Sequence, residues 1–133
     1  MSITDFPNGV SSFGQVLHGG MFGVGNVYRV IKSSEAYYDQ FEEDFGGLYS
    51  DGSAILHPDD GSGDGIQSAL DATVEGRNDY VIVQASNSDY DLTAVLTLSK
   101  KSVHLICPAG LGLDRGATNA CRLEQTGSAD VFA

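Results

Sequence analysis

Residues 64–108 read DGIQSALDATVEGRNDYVIVQASNSDYDLTAVLTLSKKSVHLICP, and they place one short amphipathic helix directly before three strand-like segments. The helix is predicted from apolar side chains that recur at the i, i+3, i+4, i+7 and i+8 positions of a single stripe: Ile66, Ala69, Leu70, Thr73 and Val74. Asp64 is placed to cap its start, and Gly76 is placed to end it. Such a stripe covers another apolar surface, so the helix is expected to pack on the segments that follow it.

Three apolar segments follow the helix, each bounded by turn-forming residues: 80–83, 92–98 and 103–107. Val81 and Val103 begin similar runs 22 residues apart, and no Asn-Gly or Asp-Gly pair lies between them to close a two-residue hairpin. A repeat of this length is typical of solenoids, whose coils bury their inward side chains only against another coil or a cap. We therefore expect parallel strands from about Tyr80 onward, with the helix lying across the end of their stack.

The chain before this stretch adds shorter elements. Residues 26–31 predict a first strand, and a short helix that includes residues 38–41 follows it. We expect that helix to be capped by Ser33 or Ser34 and to end near Gly46-Gly47. Residues 49–65 are rich in turn-forming residues and are predicted to be a turn-rich connector.

The chain after this stretch continues the strand pattern. Residues 121–124 alternate apolar and polar side chains as a strand does, and residues 130–133 resemble the start of another strand. We therefore expect the stack to be incomplete at the C-terminus of this sequence. The organisation that follows has three parts: a Gly-rich extended docking arm over 1–26, a connector with a strand, a short helix and an acidic turn over 27–64, and a helix cap with the first coils over 65–133.

Three runs resemble the opening of right-handed parallel β-helix proteins: GIQSALDA at 65–72, DYVIV at 79–83 and KSVHLICP at 101–108. The pattern is similar to that of pectate-lyase-like proteins and of many tail and capsid proteins of tailed phages, in which an N-terminal helix plugs the mouth of the β-helix. The run ITDFPNGVSSFG at 3–14 also resembles the N-termini of virion proteins from tailed phages. The resemblance implies a mainly β fold, in which an N-terminal extended arm precedes the helix-capped start of a right-handed parallel β-helix.

The first 26 residues have the composition of an arm that orders on a partner. Pro7 and six glycines interrupt any regular element, yet large apolar side chains recur between them. A flexible linker lacks large apolar side chains, whereas a docking segment contains them because they bind the partner. The alternative is a tail that wraps back onto its own domain. The candidate partner-binding residues are Phe6, Val10, Phe13, Val16, Leu17, Met21 and Phe22.

Composition argues against several classes of partner. A net charge of −11 with only seven Lys and Arg residues disfavours nucleic acid, because phosphate binding needs clustered positive charge. No run approaches the roughly 20 apolar residues of a membrane span, and no basic and apolar signal region follows Met1. Cys107 and Cys121 have no metal-binding spacing and are predicted to be small inward-facing strand residues, with a disulfide as the less favoured alternative.

The acidic run at 59–65, DDGSGDG, is the one place where the sequence offers ligands for a hard cation such as Ca²⁺. Counted from Asp60, the twelfth position of a calcium loop is Asp71 instead of Glu, so a loop whose last Asp caps the following helix is favoured. His57 is expected to be exposed in this turn, and His104 is expected to point outward from a strand. We predict no catalytic, cofactor-binding or metal-binding residue, since the outward strand positions offer no acidic pair for glycoside cleavage.

The resemblance and the arm together predict a bacteriophage virion structural protein that decorates the capsid or anchors a head fibre. Its expected partners are a capsid or other virion protein and two further copies of itself in a homotrimer, without nucleic acid, membrane or cofactor. It is expected in the virion after assembly in the host cytoplasm, and it is not expected to be an enzyme. The alternatives are a tail fibre or tailspike base and a polysaccharide-degrading pectate-lyase-like enzyme, the last disfavoured by the missing export signal.

Overall fold

The computed structural model describes residues 10–12, 15–18, 25–107, 121, 123–125 and 132. Within these ranges the chain is mainly β, with two short helices. The strands are β1 (Val10–Ser12), β2 (Gln15–His18), β3 (Val27–Lys32), β4 (Leu56–Asp59), β5 (Asp79–Val83), β6 (Tyr90–Leu92), β7 (Val103–Ile106) and β8 (Leu123–Gln125). The helices are α1 (Tyr38–Phe45) and α2 (Asp64–Ala72). Neither helix is long and apolar enough to cross a lipid bilayer.

The central element is a four-stranded sheet in the order β4-β3-β5-β7, and all of its strands run parallel. In the β5 to β7 pair, Val81 lies opposite Leu105. The prediction of parallel strands from about Tyr80 onward is therefore confirmed for this pair, and no hairpin joins the two strands. Parallel neighbours require a crossover connection. The chain between β5 and β7 therefore has to return to the end of the sheet at which β5 begins before β7 can pair with β5.

A second set of parallel pairings lies beside this sheet. Strands β6 and β8 pair in parallel, with Tyr90 opposite Leu123, and a further parallel bridge joins Leu96 to Phe132. In these two pairings and in the β5–β7 pair, one partner lies within residues 79–96 and the other lies within residues 103–132.

One hydrophobic core joins the sheet, β6 and α2. Along β5 the side chains alternate between buried and half-buried positions, as expected for a strand with one face on the core. Helix α2 packs on β4, β3 and β5. The buried members of the core are Tyr28, Val30, Ile66, Ala69, Leu70, Val81, Val83, Tyr90, Leu92 and Leu96.

Helix α2 exists where the stripe predicted it, but its ends differ from the prediction. It spans Asp64–Ala72, and Thr73 already has an extended backbone. The Thr73 hydroxyl donates a hydrogen bond of 2.6 Å to the Leu70 carbonyl, which holds the chain as it leaves the helix. Val74 therefore lies outside the helix and is 47% exposed, so its assignment to the apolar stripe is wrong.

Other predicted elements are corrected by the coordinates. The predicted turn-rich connector contains β4. Within the predicted strand 92–98 only Leu92, in β6, and Leu96, in an isolated bridge, pair with other residues. Helix α1 ends at Gly46 as predicted, but its N-cap residue is Tyr37, not Ser33 or Ser34.

The two cysteines also differ from the prediction. Cys107 is exposed, so its assignment as an inward-facing residue is wrong, whereas Cys121 is half-buried and packs against the core. His104 is exposed on β7, which confirms that it points outward.

Candidate functional site

The predicted arm contains a short antiparallel hairpin. Strand β1 pairs with β2, with Val10 opposite His18 and Ser11 opposite Val16. Among the described strands, these two pair only with each other. Of the candidate partner-binding residues, Val10 lies in β1 and Val16 and Leu17 lie in β2, whereas Phe6, Phe13, Met21 and Phe22 lie outside the described residues.

Asp59 organises the acidic turn before α2. It is fully buried at the end of β4, and its Oδ1 accepts hydrogen bonds from the N–H groups of Gly61 (2.6 Å) and Gly63 (3.2 Å). Its Oδ2 accepts from the N–H groups of Gly65 (2.9 Å) and Ile66 (3.3 Å). Because the first N–H groups of a helix have no intrahelical partner, this carboxylate caps α2 from the preceding strand.

Asp64 is therefore not the cap, and the prediction that it caps the helix is wrong. It is the first residue of α2, and its Oδ1 accepts only its neighbour's N–H group, at Gly65 (2.7 Å), and a longer contact of 3.4 Å from the Asp60 N–H group. The N-cap residue is Gly63, which has a left-handed φ of 86° and no side chain to offer. A Cβ at Gly63 would lie 2.4 Å from Cδ2 of Leu92, so the turn and the core both require glycine there.

The same turn holds a cluster of carboxylates. Asp59, Asp60 and Asp64 each bring one oxygen within 4.8 Å of the others. Both oxygens of Asp59 already accept two N–H groups each, and hydrogen bonds from Ser62 to Asp60 lower the pKa of that carboxyl group. The cluster acts in the structure as a hydrogen-bonded turn that fixes the start of α2.

Two charged side chains hold the turn between β5 and β6: Lys32 at the end of β3 and Glu35 in the turn that follows β3. The buried Lys32 donates from Nζ to the carbonyl of Ser88, to the Ser88 hydroxyl (3.0 Å) and to the carbonyl of Asp89. The buried Glu35 accepts from the Ser86 hydroxyl and from the N–H group of Asn87 (2.9 Å). A buried charge is tolerated only when such partners replace water, so this pair fixes the corner at residues 86–89.

Arg77 ties the start of β5 to the connector. Its guanidinium donates to both oxygens of the fully buried Asp79 (2.7 and 2.8 Å) and to Asp51 (2.8 Å). Burial alone would raise the pKa of Asp79, but the hydrogen bonds from Arg77 and from the N–H groups of Val74 and Asn26 outweigh it and lower that pKa. The network stabilises the fold around β5 and leaves no free base there.

His57 is buried in β4, so the prediction of an exposed loop histidine is wrong. Its Nδ1 lies 3.0 Å from the Ser68 hydroxyl on α2, and its Nε2 lies 3.0 Å from the Ala54 carbonyl. The ring also packs edge-on to Tyr28, with 5.7 Å between centroids. Burial lowers the pKa of His57, and the contact with the Ala54 carbonyl offsets part of that effect.

The outward face of β5 and β7 is a partly apolar surface, half-buried along β5 and exposed along β7. The rings of Tyr80 and His104 stack with 4.5 Å between centroids, and the next pair along the strands is Ile82 and Ile106. Ile106 is 39% exposed. Within the described residues helix α1 packs on β3 and β4, and it does not pack on β5 or β7.

An open groove of about 400 Å³ lies near the acidic turn. Its charged lining residues are Lys32, Asp60, Asp89 and Asp91. The remaining lining residues are small and polar: Ser34, Gly61, Ser62, Ser88 and Thr93. Carboxylates on an open polar groove are suited to contact hydroxyl-rich ligands such as sugars.

Comparisons with models of known protein families, with curated proteins and with solved structures find no match to this chain.

The sequence could not indicate the roles of Asp59, Lys32, Glu35 and Arg77. Lys32 and Glu35 act on residues more than 50 positions away, at separations of up to 57. Asp59 acts on N–H groups two to seven positions away, and Arg77 acts on Asp79 two positions away and on Asp51 26 positions away. One signal was present in the sequence: a lysine and a glutamate at the end of an apolar strand often require specific partners when the strand is buried.

Proposed function

We propose that this chain is a bacteriophage virion structural protein, with a docking arm followed by the base of a right-handed parallel β-helix. In this proposal residues 79–96 form one coil and residues 103–132 form the next. The arm attaches the β-helix to a capsid or other virion protein, as in capsid decoration or a head fibre.

One observation carries the β-helix part of the proposal. Three pairings join the two segments in the same order along the chain: Asp79 with Val103, Tyr90 with Leu123, and Leu96 with Phe132. All three are parallel. A chain that passes the same three positions twice, each time in the same direction, has the connectivity of stacked solenoid coils.

The assignment to a virion rests on the arm and on the resemblance of residues 3–14 and 65–108 to phage proteins. Apolar residues separated by glycines suit a segment that binds along another protein, and the pairing of β1 only with β2 within the described strands fits an element separate from the sheet.

A homotrimer completes the proposal. In the described part of the chain β7 has only β5 as a strand neighbour, and in this proposal its other edge is covered by a neighbouring copy. The outward face of Tyr80, Ile82, His104 and Ile106, half-buried on β5 and exposed on β7, lies beside that edge. Three copies packed around one axis would cover this face, and light scattering should then give three times the 14.0 kDa chain mass. A monodisperse 14.0 kDa species across the micromolar range would contradict the trimer.

The arm is tested by deletion in the virus that encodes the chain. Removal of residues 2–22 should leave the sheet folded, as judged by circular dichroism and by the thermal melting temperature, but should abolish incorporation into particles. A finer variant replaces Phe6, Phe13 and Phe22 with Ser, because each aromatic ring can bury a large area on a partner. The matched control replaces the polar arm residues Thr4, Ser12 and Gln15 with Ala and should be incorporated normally.

Particles that carry the deleted protein at full occupancy would overturn the role of the arm. Equal loss of incorporation in the Phe and the polar variants would also contradict apolar anchoring.

A second candidate is a tail fibre or tailspike base that cleaves polysaccharide, favoured by the groove that carries Asp60, Asp89 and Asp91. Glycoside cleavage needs two carboxylates about 5 to 10 Å apart. Release of reducing ends from host capsule or lipopolysaccharide by the purified chain, lost in the Asp89→Asn and Asp91→Asn variants, would favour this candidate over the structural role.

A further inference from the structure

A groove separates the outer face of α2 from residues 93–96. Its volume is about 430 Å³, which lies within the range of small-molecule binding sites. Hydrogen bonds hold the chain on both sides of it: the Thr93 N–H group donates to the Ser62 carbonyl (3.2 Å), and the Thr97 N–H group donates to Oε1 of Gln67 (2.9 Å). Because these contacts lie within the fold, the groove is formed without a ligand.

The groove has one apolar wall and one acidic wall. Ala94, Val95 and Leu96 line the first, and Asp64 and Asp71 lie on the second. The two carboxylates are seven positions apart on α2, so they lie roughly 10 Å apart along the helix axis. No Lys, Arg or His is among the described residues that line the groove. Its charge is therefore suited to a cation.

Each of the two carboxylates has one oxygen that accepts no hydrogen bond from the described residues. The engaged oxygens are Oδ1 of Asp64, which accepts from the N–H group of Gly65 (2.7 Å), and Oδ1 of Asp71, which accepts from Nε2 of Gln67 (2.8 Å). The nearby Lys100 donates from Nζ to main-chain carbonyl groups at the end of α2, among them that of Asp71 (2.7 Å). Oδ2 of both aspartates is thus left to a ligand.

We propose that this groove binds an aliphatic diamine. One ammonium group pairs with Asp64 and the other pairs with Asp71, while the methylene chain lies against residues 94–96. A monoamine reaches only one carboxylate, and a neutral chain of the same length pairs with neither. An extended peptide is less well suited, because strand addition uses main-chain hydrogen bonds and the N–H groups of Thr93 and Thr97 are already engaged. Such binding is independent of the assignment to a virion.

Isothermal titration calorimetry on the full 133-residue chain at low ionic strength tests the proposal. The wild-type chain should bind 1,8-diaminooctane about fivefold more tightly than octylamine, because a second, partly exposed ion pair adds a modest contribution. The shorter 1,3-diaminopropane should lose this advantage, since it cannot reach both carboxylates, and 1,8-octanediol should bind more weakly than octylamine. Added salt should reduce the preference for the diamine.

Two variants separate the groove from the general negative charge of the chain. Asp71→Asn, at an exposed position, should bind 1,8-diaminooctane no more tightly than octylamine. The matched control is Asp39→Asn, which removes one exposed charge from α1, away from the groove, and should keep the fivefold preference. Amide NMR shifts should change at residues 64–71 and 93–97 when the diamine is added.

Three results would overturn the proposal. The first is equal binding of 1,8-diaminooctane and octylamine by the wild-type chain. The second is loss of the preference in Asp39→Asn to the same extent as in Asp71→Asn, which would indicate non-specific attraction to a negatively charged protein. The third is a set of amide shift changes that leaves residues 64–71 and 93–97 unaffected.

Discussion

Asp59 is a buried carboxylate whose two oxygens are both committed to backbone N–H groups at the start of α2. Asp59→Asn replaces one acceptor oxygen with an NH₂ group that faces two N–H donors. We expect the free energy of unfolding to fall by about 1–3 kcal/mol, because buried donors lose their acceptor. Urea unfolding followed by circular dichroism measures the change.

Asp60→Asn is the matched control for this prediction. The neighbouring carboxylate is exposed, and it accepts hydrogen bonds from the N–H group (2.8 Å) and the hydroxyl group of Ser62, without reaching the first N–H groups of α2. Its replacement should change the free energy of unfolding by less than about 0.5 kcal/mol. Equal losses in the two variants would show that Asp59 has no special role as a cap.

The fold should lose stability in mild acid, because His57 is buried and its protonation is unfavourable in the folded state. Because burial lowers its pKa below the ordinary value of about 6.5, the unfolded chain binds the proton more readily than the folded chain. The stabilising contribution is therefore complete above about pH 6.5 and is lost as the pH falls through the lower folded pKa. The loss approaches about 1.4 kcal/mol for each pH unit between the two pKa values.

Proton NMR titration of the His57 ring gives the folded pKa directly, and urea unfolding at pH 7 and pH 5 gives the loss. The His57→Gln variant should lose less stability over this interval than wild type. A folded pKa at or above 6.5 would contradict the prediction.

The roles of individual side chains, such as the helix cap and His57, were predicted less well from the sequence than the helices and strands. Helix caps are normally residues next to the helix start, which is why Asp64 is the cap that the sequence predicts. In the structure the carboxylate of Asp59, which precedes the left-handed Gly63, accepts the N–H groups at the start of α2. His57 is predicted to be an exposed loop residue because it lies beside the acidic turn. Its burial depends on pairing between β4 and β3, which no local pattern reveals.

At the scale of elements, β6 joins the core of the central sheet although it pairs only with β8 within the described strands. Leu92 is fully buried there, in contact range of the α2 start at Gly63. Leu92→Ala should lower the free energy of unfolding by about 2–5 kcal/mol, through lost burial and the cavity that remains. Denaturant unfolding at neutral pH provides the measurement.

Leu98→Ala is the matched control for this prediction. Leu98 is six positions further along and is 41% exposed. Its replacement should cost less than about 1 kcal/mol. A loss at Leu92 as small as the loss at Leu98 would mean that β6 does not share the core.

Elements with strong periodicity were predicted and short ones were not. Helix α2 and strands β3, β5 and β7 follow apolar patterns that are visible in the sequence. Strand β4 was not predicted because it has only four residues and contains Pro58 and part of the acidic turn. The predicted strand 92–98 was too long, because only Leu92 and Leu96 pair with other residues. Strand pairing over long separations decides these cases.

At the scale of the whole molecule, the parallel direction of the strands follows from apolar runs without hairpin turns, and the structure confirms it for β5 and β7. The burial of the charged groups could not be predicted, because Lys32 and Glu35 are held by partners that only the assembled fold supplies. Asp79 likewise accepts a hydrogen bond from the distant N–H group of Asn26, in addition to those from its neighbour Arg77. The proposed coils depend on whether all three pairings between residues 79–96 and 103–132 exist together.

Cross-strand nuclear Overhauser effects on the uniformly labelled chain decide whether the coils stack in this way. We predict the parallel pattern of amide and Hα contacts between β5 and β7 at Val81 and Leu105, and the same pattern between β6 and β8 at Tyr90 and Leu123. Short Hα–Hα contacts typical of antiparallel pairs in either place, or β5 and β7 contacts without any between β6 and β8, would contradict the stacked coils.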